Sequence, residues 1–124
     1  MREARSRFGE DYKSAGAIIK TNTGVVSSQT ELVPALAGNF PVMDKIIVTN
    51  VGTSNNGYVQ VYANEEDDQK VTPRIPVKTE DINGIFGAPF KGLLGKNLSY
   101  KSTIDGDHDI WVRYHYEAEQ ATMV

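Results

Sequence analysis

An all-β chain is what this sequence predicts, folded as an antiparallel β-sandwich of jelly-roll type with a flexible N-terminal arm. Three observations predict it. Short runs rich in β-branched and aromatic residues recur at spacings of about 8–12 residues. Clusters of Gly, Asn and Asp separate those runs and supply turn chemistry. No segment sustains a 3.6-residue apolar period for the length of a helix. A chain of 124 residues is one domain's worth, and no linker or internal repeat divides it. The expected organisation is an arm over residues 1–14 and a single sandwich domain over 15–124.

The elements follow in order. Residues 1–14 are polar, with Arg2, Arg5 and Arg7 set among Glu3, Glu10 and Asp11. Such a stretch buries little apolar area, so it reads as a mobile arm or a short frayed helix. Ala17-Ile18-Ile19-Lys20-Thr21 is a β-branched run, closed by the turn residues Asn22-Thr23-Gly24. Val25 to Gln29 and Glu31 to Val33 read as two short extended pieces, and Pro34 and Pro41 bracket a loop. Lys45 to Val51 is a strand, followed by Gly52-Thr53-Ser54-Asn55-Asn56-Gly57, where Asn56-Gly57 is a favoured hairpin dipeptide. Tyr58 to Asn64 then alternates, with Val59, Val61 and Ala63 on one face and Tyr58, Gln60 and Tyr62 on the other. These two runs are expected to pair as an antiparallel hairpin.

Glu65-Glu66-Asp67-Asp68 reads as an acidic, solvated loop. Val71 to Val77 carries Pro73 and Pro76, which restricts it to an edge strand or an irregular crossing. Thr79 to Gly84 has the makings of one helical turn, and Ile85, Phe86, Phe90, Leu93 and Leu94 are expected to plug one end of the core. A second hairpin closes the chain: Leu98 to Ile104, the turn Asp105-Gly106-Asp107-His108, and Ile110 to Tyr116. On its last strand Ile110, Val112, Tyr114 and Tyr116 share one face, and Trp111, Arg113 and His115 share the other.

Composition narrows the function classes. With no cysteine there is neither a disulfide nor a thiolate metal cage. A net charge of −3 and a pI near 5.3 lack the basic footprint of nucleic-acid binding. The charged start is followed by no apolar core of a signal peptide, and no apolar run reaches the ~20 residues that span a bilayer. Synthesis in the cytoplasm, with no membrane partner, is the expectation.

Candidate chemistry is sparse. Asp105, Asp107 and Asp109 place carboxylates at alternate positions, like the opening of a calcium loop. A calcium site takes about six to eight oxygens, and the helix–loop–helix form ends on a glutamate at its twelfth position, where this chain has Tyr116. An ordinary turn accounts for these residues too, so no metal is assigned and the three aspartates stand as the positions a cation would use. His108 and His115 are the only histidines, and no Gly-x-Ser-x-Gly or phosphate-cradling Gly-rich motif accompanies them. No catalytic residue and no cofactor is assigned, and the chain is expected not to be an enzyme. Trp111, Arg113 and His115, with Tyr58 and Tyr62 as candidate additions, form an aromatic and cationic set of the kind enriched at interface hot spots. The same stripe is equally what the second face of a sandwich strand looks like under covering loops.

The runs Lys45 to Gly52 and Gly57 to Tyr62, then Gly84-Ile85-Phe86-Gly87-Ala88-Pro89-Phe90 and Gly95 to Ser102, then Asp109 to Tyr116, form a recognisable succession. This order resembles the small jelly-roll or β-sandwich virion proteins of tailed bacteriophages, including capsid decoration (cement) proteins and related head or tail accessory proteins. The likeness spans roughly residues 44–117 and lies in the style of the strands, with no motif matched position by position. It implies a structural protein of the virion, often trimeric, that binds the major capsid protein or another virion protein. An N-terminal arm would suit that role. A carbohydrate-binding or adhesion sandwich is the alternative, with Tyr58, Tyr62 and Trp111 stacking on sugar rings.

Overall fold

The computed structural model describes residues 13–52, 56–86 and 89–119. Those residues form ten strands: β1 (Lys13–Asn22), β2 (Val26–Val33), β3 (Asn39–Asn50), β4 (Gly57–Asn64), β5 (Asp67–Lys70), β6 (Ile75–Val77), β7 (Asp81–Ile85), β8 (Phe90–Lys91), β9 (Leu98–Ser102) and β10 (His108–Ala118). One sheet runs β1-β10-β3-β7, with β8 also pairing β3, and the other runs β2-β9-β4-β5, with β6 also pairing β4. Every pairing is antiparallel. Consecutive long strands alternate between the sheets, and the first strand lies beside the last. That is the double Greek-key order of a jelly roll, and the expected fold class holds. Residues 1–12 of the expected arm lie outside the described residues, and β1 begins at Lys13.

Both expected hairpins are corrected. β3 and β4 lie in different sheets, as do β9 and β10. The partner of β3 is β10, and the partner of β4 is β9. Turn residues between two runs say only that the chain reverses. The β3–β4 and β9–β10 connections are longer than a two-residue hairpin loop, so they can cross the ~10 Å between the sheets. Gly57 is part of this correction. Its φ is not among the positive ones, so it is not a hairpin glycine. A Cβ there would lie 2.8 Å from the Ile104 backbone nitrogen, so glycine is required where the β4 entrance presses on the end of β9.

The true tight hairpin is β4–β5. Asn64 pairs with Asp67 across Glu65-Glu66, and the Asn64 Oδ1 accepts the Glu66 N–H at 2.7 Å. This Asx turn draws half of the expected acidic loop into a strand. The expected helical turn is likewise the start of β7, entered through Glu80 at φ 57°. Asn39 and Phe40, expected in the loop, and Pro41, expected to close it, belong to β3. Of the expected core plug, Ile85 and Phe90 pack against the core, whereas Phe86 is left exposed. The prolines of Val71 to Val77 do mark an edge: β6 is three residues long and flanks β4.

Alternation sets the core. Ile46, Val48, Val59, Val61, Ile110 and Val112 meet between the sheets with no solvent exposure. Polar links among the described residues also join sheet to sheet: Tyr100 Oη donates to Asn22 Oδ1 at 2.9 Å, Tyr116 Oη donates to the Pro34 carbonyl at 2.7 Å, Asn83 Nδ2 donates to the Pro76 carbonyl at 2.7 Å, and Ser102 meets His108. Burial pushes both phenols above their ordinary value, which keeps each O–H a donor.

Candidate interaction faces

β10 is the strand on which most of the candidate residues sit. Its even-numbered side chains enter the core, so Trp111, Arg113, His115 and Glu117 project from the outer face of its sheet. Trp111 is flanked across the strands by Ile19 of β1 and Ile47 of β3. Ile19 is 63% exposed, and Ile82 and Phe86 at the far edge of the same sheet are each 59% exposed. The result is an apolar band across four strands, outside the core.

Beyond Arg113 the band gives way to a polar cluster built by a β-bulge. Lys45 pairs with Arg113 and Met43 with Tyr114, which leaves Asp44 as the extra residue of β3. Bulges re-aim side chains, and here Asp44 Oδ2 reaches His115 Nδ1 at 2.7 Å. The other ring nitrogen lies 3.0 Å from Glu117 Oε2, Glu117 Oε1 is 3.3 Å from Lys91 Nζ, and Lys91 lies over the Phe40 ring at 4.3 Å. His115 is buried beneath this cluster, not displayed as an interface residue. That corrects one of the expected interface positions.

The electrostatics of the cluster are mutual. Burial pushes His115 down, but its hydrogen bonds to Asp44 and Glu117 and the attraction of both carboxylates outweigh that and raise its pKa. Glu117 is held low, first by the His115 hydrogen bond and then by Lys91, against the opposing effect of burial. A raised histidine contributes stability that is complete below its ordinary value of 6.5 and is lost as pH rises through the folded value. A lowered carboxylate contributes stability present above its ordinary 4.5 and lost as pH falls through its folded value. The cluster therefore stabilises most between those two ordinary values. Melting temperatures of the wild type and His115→Gln are expected to differ most near pH 5.5 and to converge by roughly 2–5 °C as pH rises through the folded value of His115. A difference independent of pH would remove the ionic role of His115.

Tyr58 and Tyr62 lie on β4, in the opposite sheet, and face the other side of the sandwich. The structure does not bring them together with Trp111. Their rings are also taken: Arg74 sits 4.6 Å over Tyr58, and Lys70 and Lys101 sit 5.8 and 5.3 Å from Tyr62. The aspartates part company as well. Asp105 and Asp107 lie exposed in the loop before β10, while Asp109 is within β10 on its outer face between Thr21 and Thr49. Among the described residues, no three His, Cys, Asp or Glu side chains converge as a metal site.

A contact that sequence spacing did not flag is Ser102–His108. His108 Nδ1 is 2.9 Å from the Gly106 carbonyl, which can only accept, so the proton sits on Nδ1. In the neutral ring Nε2 then accepts from Ser102 Oγ at 2.8 Å, and Ser102 Oγ accepts the Ile104 N–H at 3.2 Å. The pair has the atoms of a nucleophile and base, but His108 is fully buried and Ser102 nearly so. Its orienting group is a backbone carbonyl and not a carboxylate. Geometrically it is a clamp between the sheets.

No protein-family model and no curated protein sequence matches the chain. Among solved structures, a Bacillus endospore appendage protein, from work describing a family of disulfide-linked pili, superposes with a TM-score of 0.51 at 7% identity. The match covers 88% of this chain and 91% of that one. A Clostridium thermocellum xylanase 10B fragment with its carbohydrate-binding module, complexed with xylohexaose, matches at a TM-score of 0.34 and 14% identity, over 92% of this chain and 28% of that one. At 7% identity the likeness to the appendage protein is one of fold alone, a β-sandwich.

Proposed function

We propose that this jelly roll is a non-enzymatic structural protein of an assembly, and specifically a virion protein of a tailed bacteriophage that decorates the capsid and stabilises the head. The observation that carries the reading is the apolar band of Ile19, Trp111, Ile47, Ile82 and Phe86 on the outer face of the β10 sheet. Contiguous apolar surface of this kind marks contact with other protein. The capsid as partner follows from the resemblance of the strand succession to decoration proteins. The fold shared with an appendage subunit supports the general building-block role, although this chain has no cysteine with which to form the disulfides named for that family. Weak single contacts suffice for such a protein, since a lattice presents many copies at once. The carbohydrate alternative loses support on β4, where cations cover the tyrosine faces that a sugar would stack on.

Co-sedimentation with mature capsids of the source phage tests this. Saturable binding, with one protein per fixed number of capsid subunits and a raised temperature of genome release, is the expected result. Protein left in the supernatant throughout the micromolar range would defeat the capsid reading. Filaments formed by the protein alone would replace it with an appendage role.

A further inference from the structure

We infer that the outer face of the β10 sheet pairs with the same face of a second copy, about a two-fold axis lying along the row Ile19, Trp111, Ile47, Gly84. The proposal does not rest on the capsid reading: it gives this face to a second copy of the chain, and a capsid-bound dimer would then use another surface.

Register gives the argument. Ile19, Trp111, Ile47 and Gly84 are direct cross-strand neighbours on β1, β10, β3 and β7. Two residues along each strand on one side lies the row Thr21, Asp109, Thr49, Ile82. Two residues along on the other side lie Ala17, Arg113 and Lys45, with Phe86 continuing the alternation of β7. A two-fold axis along the central row turns the strands end for end and leaves each strand opposite itself. It lays Asp109 of one copy on Arg113 of the other, Ile82 on Phe86, Thr21 on Ala17 and Thr49 on Lys45. Each pairing occurs twice, because a two-fold interface is isologous.

The face is thus self-complementary in charge and in apolar content. Acid meets base beside the axis, and the two side chains that are each 59% exposed cover one another at the rim. Among the described residues neither Asp109 nor Arg113 is held in an ion pair within the chain. Sheets packed face to face cross at about −30°. That rotation shifts the rim contacts most and the Asp109–Arg113 pairs, only two residues from the axis, least. A three-fold arrangement, as the resemblance implies, would set this face against a different surface and lose the complementarity. Four strands at ~4.8 Å by five residues at ~3.4 Å give a flat footprint of about 330 Å² per copy, small against the ~800 Å² of a standard interface. The dimer is therefore expected to be reversible and concentration dependent.

The test is light scattering after size exclusion across the micromolar range, on the wild type, Asp109→Arg, Arg113→Asp and the double variant carrying both. Circular dichroism verifies that each remains folded. Either single reversal places like charges opposite each other twice and is expected to weaken the dimer at least about tenfold. The double variant exchanges the charges and is expected to restore it. Fluorescence of Trp111, the one tryptophan, should shift to the blue as the dimer forms. A wild type that stays monomeric overturns the proposal. So does a dimer indifferent to the single reversals, and so does a double variant no better than the singles.

Discussion

Replacing His108 with alanine is expected to cost about 3–5 kcal/mol, and with phenylalanine about 2–4 kcal/mol, in urea unfolding followed through the near-ultraviolet signal. The ring is fully buried where β10 begins. Alanine leaves a cavity and removes both hydrogen bonds of the clamp. Phenylalanine refills the volume, so its cost isolates the polar part: the Gly106 carbonyl loses its donor and the Ser102 hydroxyl loses its acceptor. Ser102 also receives the Ile104 N–H, so a hydroxyl that reorients to find a new partner disturbs the end of β9 as well. A phenylalanine variant within about 0.5 kcal/mol of the wild type, the range of an uninvolved surface position, would show that the clamp does not hold the sheets. The asparagine or glutamine variants should fall between, since an amide can serve one of the two partners.

His108 also shows where sequence reasoning stops. It was legible only as the last residue of a turn, because Asp-Gly-Asp-His has turn chemistry and the partner serine is six positions back on what reads as the opposite arm of a hairpin. Strand existence is a local property, carried by β-branched runs and by alternation, and Val59, Val61, Ile110 and Val112 do turn inward as their period requires. Sheet membership is not local. It depends on pairings such as Val112 with Ile46, contacts between segments far apart in the chain, and nothing near Asn56-Gly57 encodes them. The candidate face followed the same division. Trp111 and Arg113 could be placed on one face by counting residues. The burial of His115 could not, because it depends on one extra residue, Asp44, in a strand some seventy positions earlier. Tyr58 and Tyr62 had the right composition for an interface and the wrong sheet, and the cations over their rings come from β5, β9 and the segment before β6.

The second large effect is expected at Gly84, where alanine should cost roughly 3 kcal/mol or more. A Cβ at this position would stand 2.3 Å from the Ile46 carbonyl oxygen and 3.1 Å from the Ile47 Cα. Both are backbone atoms of β3, so no side chain can swing aside to make room. The gain from a stiffer unfolded chain, about 0.4–1 kcal/mol for Gly to Ala, is too small to offset this. β7 borders β3 at the edge of its sheet, which gives the molecule a cheaper escape than global unfolding: the strand can peel away. Hydrogen exchange should then accelerate at residues 81–85 and on the β3 groups that face them, while β1 and β10 keep their protection. Peeling would also carry off Ile82 and Phe86 from the apolar band, so the same variant is expected to lose self-association before it loses its fold. Uniform acceleration over all strands would instead mean that β7 is part of the cooperative core. Unchanged exchange would mean that the approach of β7 to Ile46 is looser than its geometry requires.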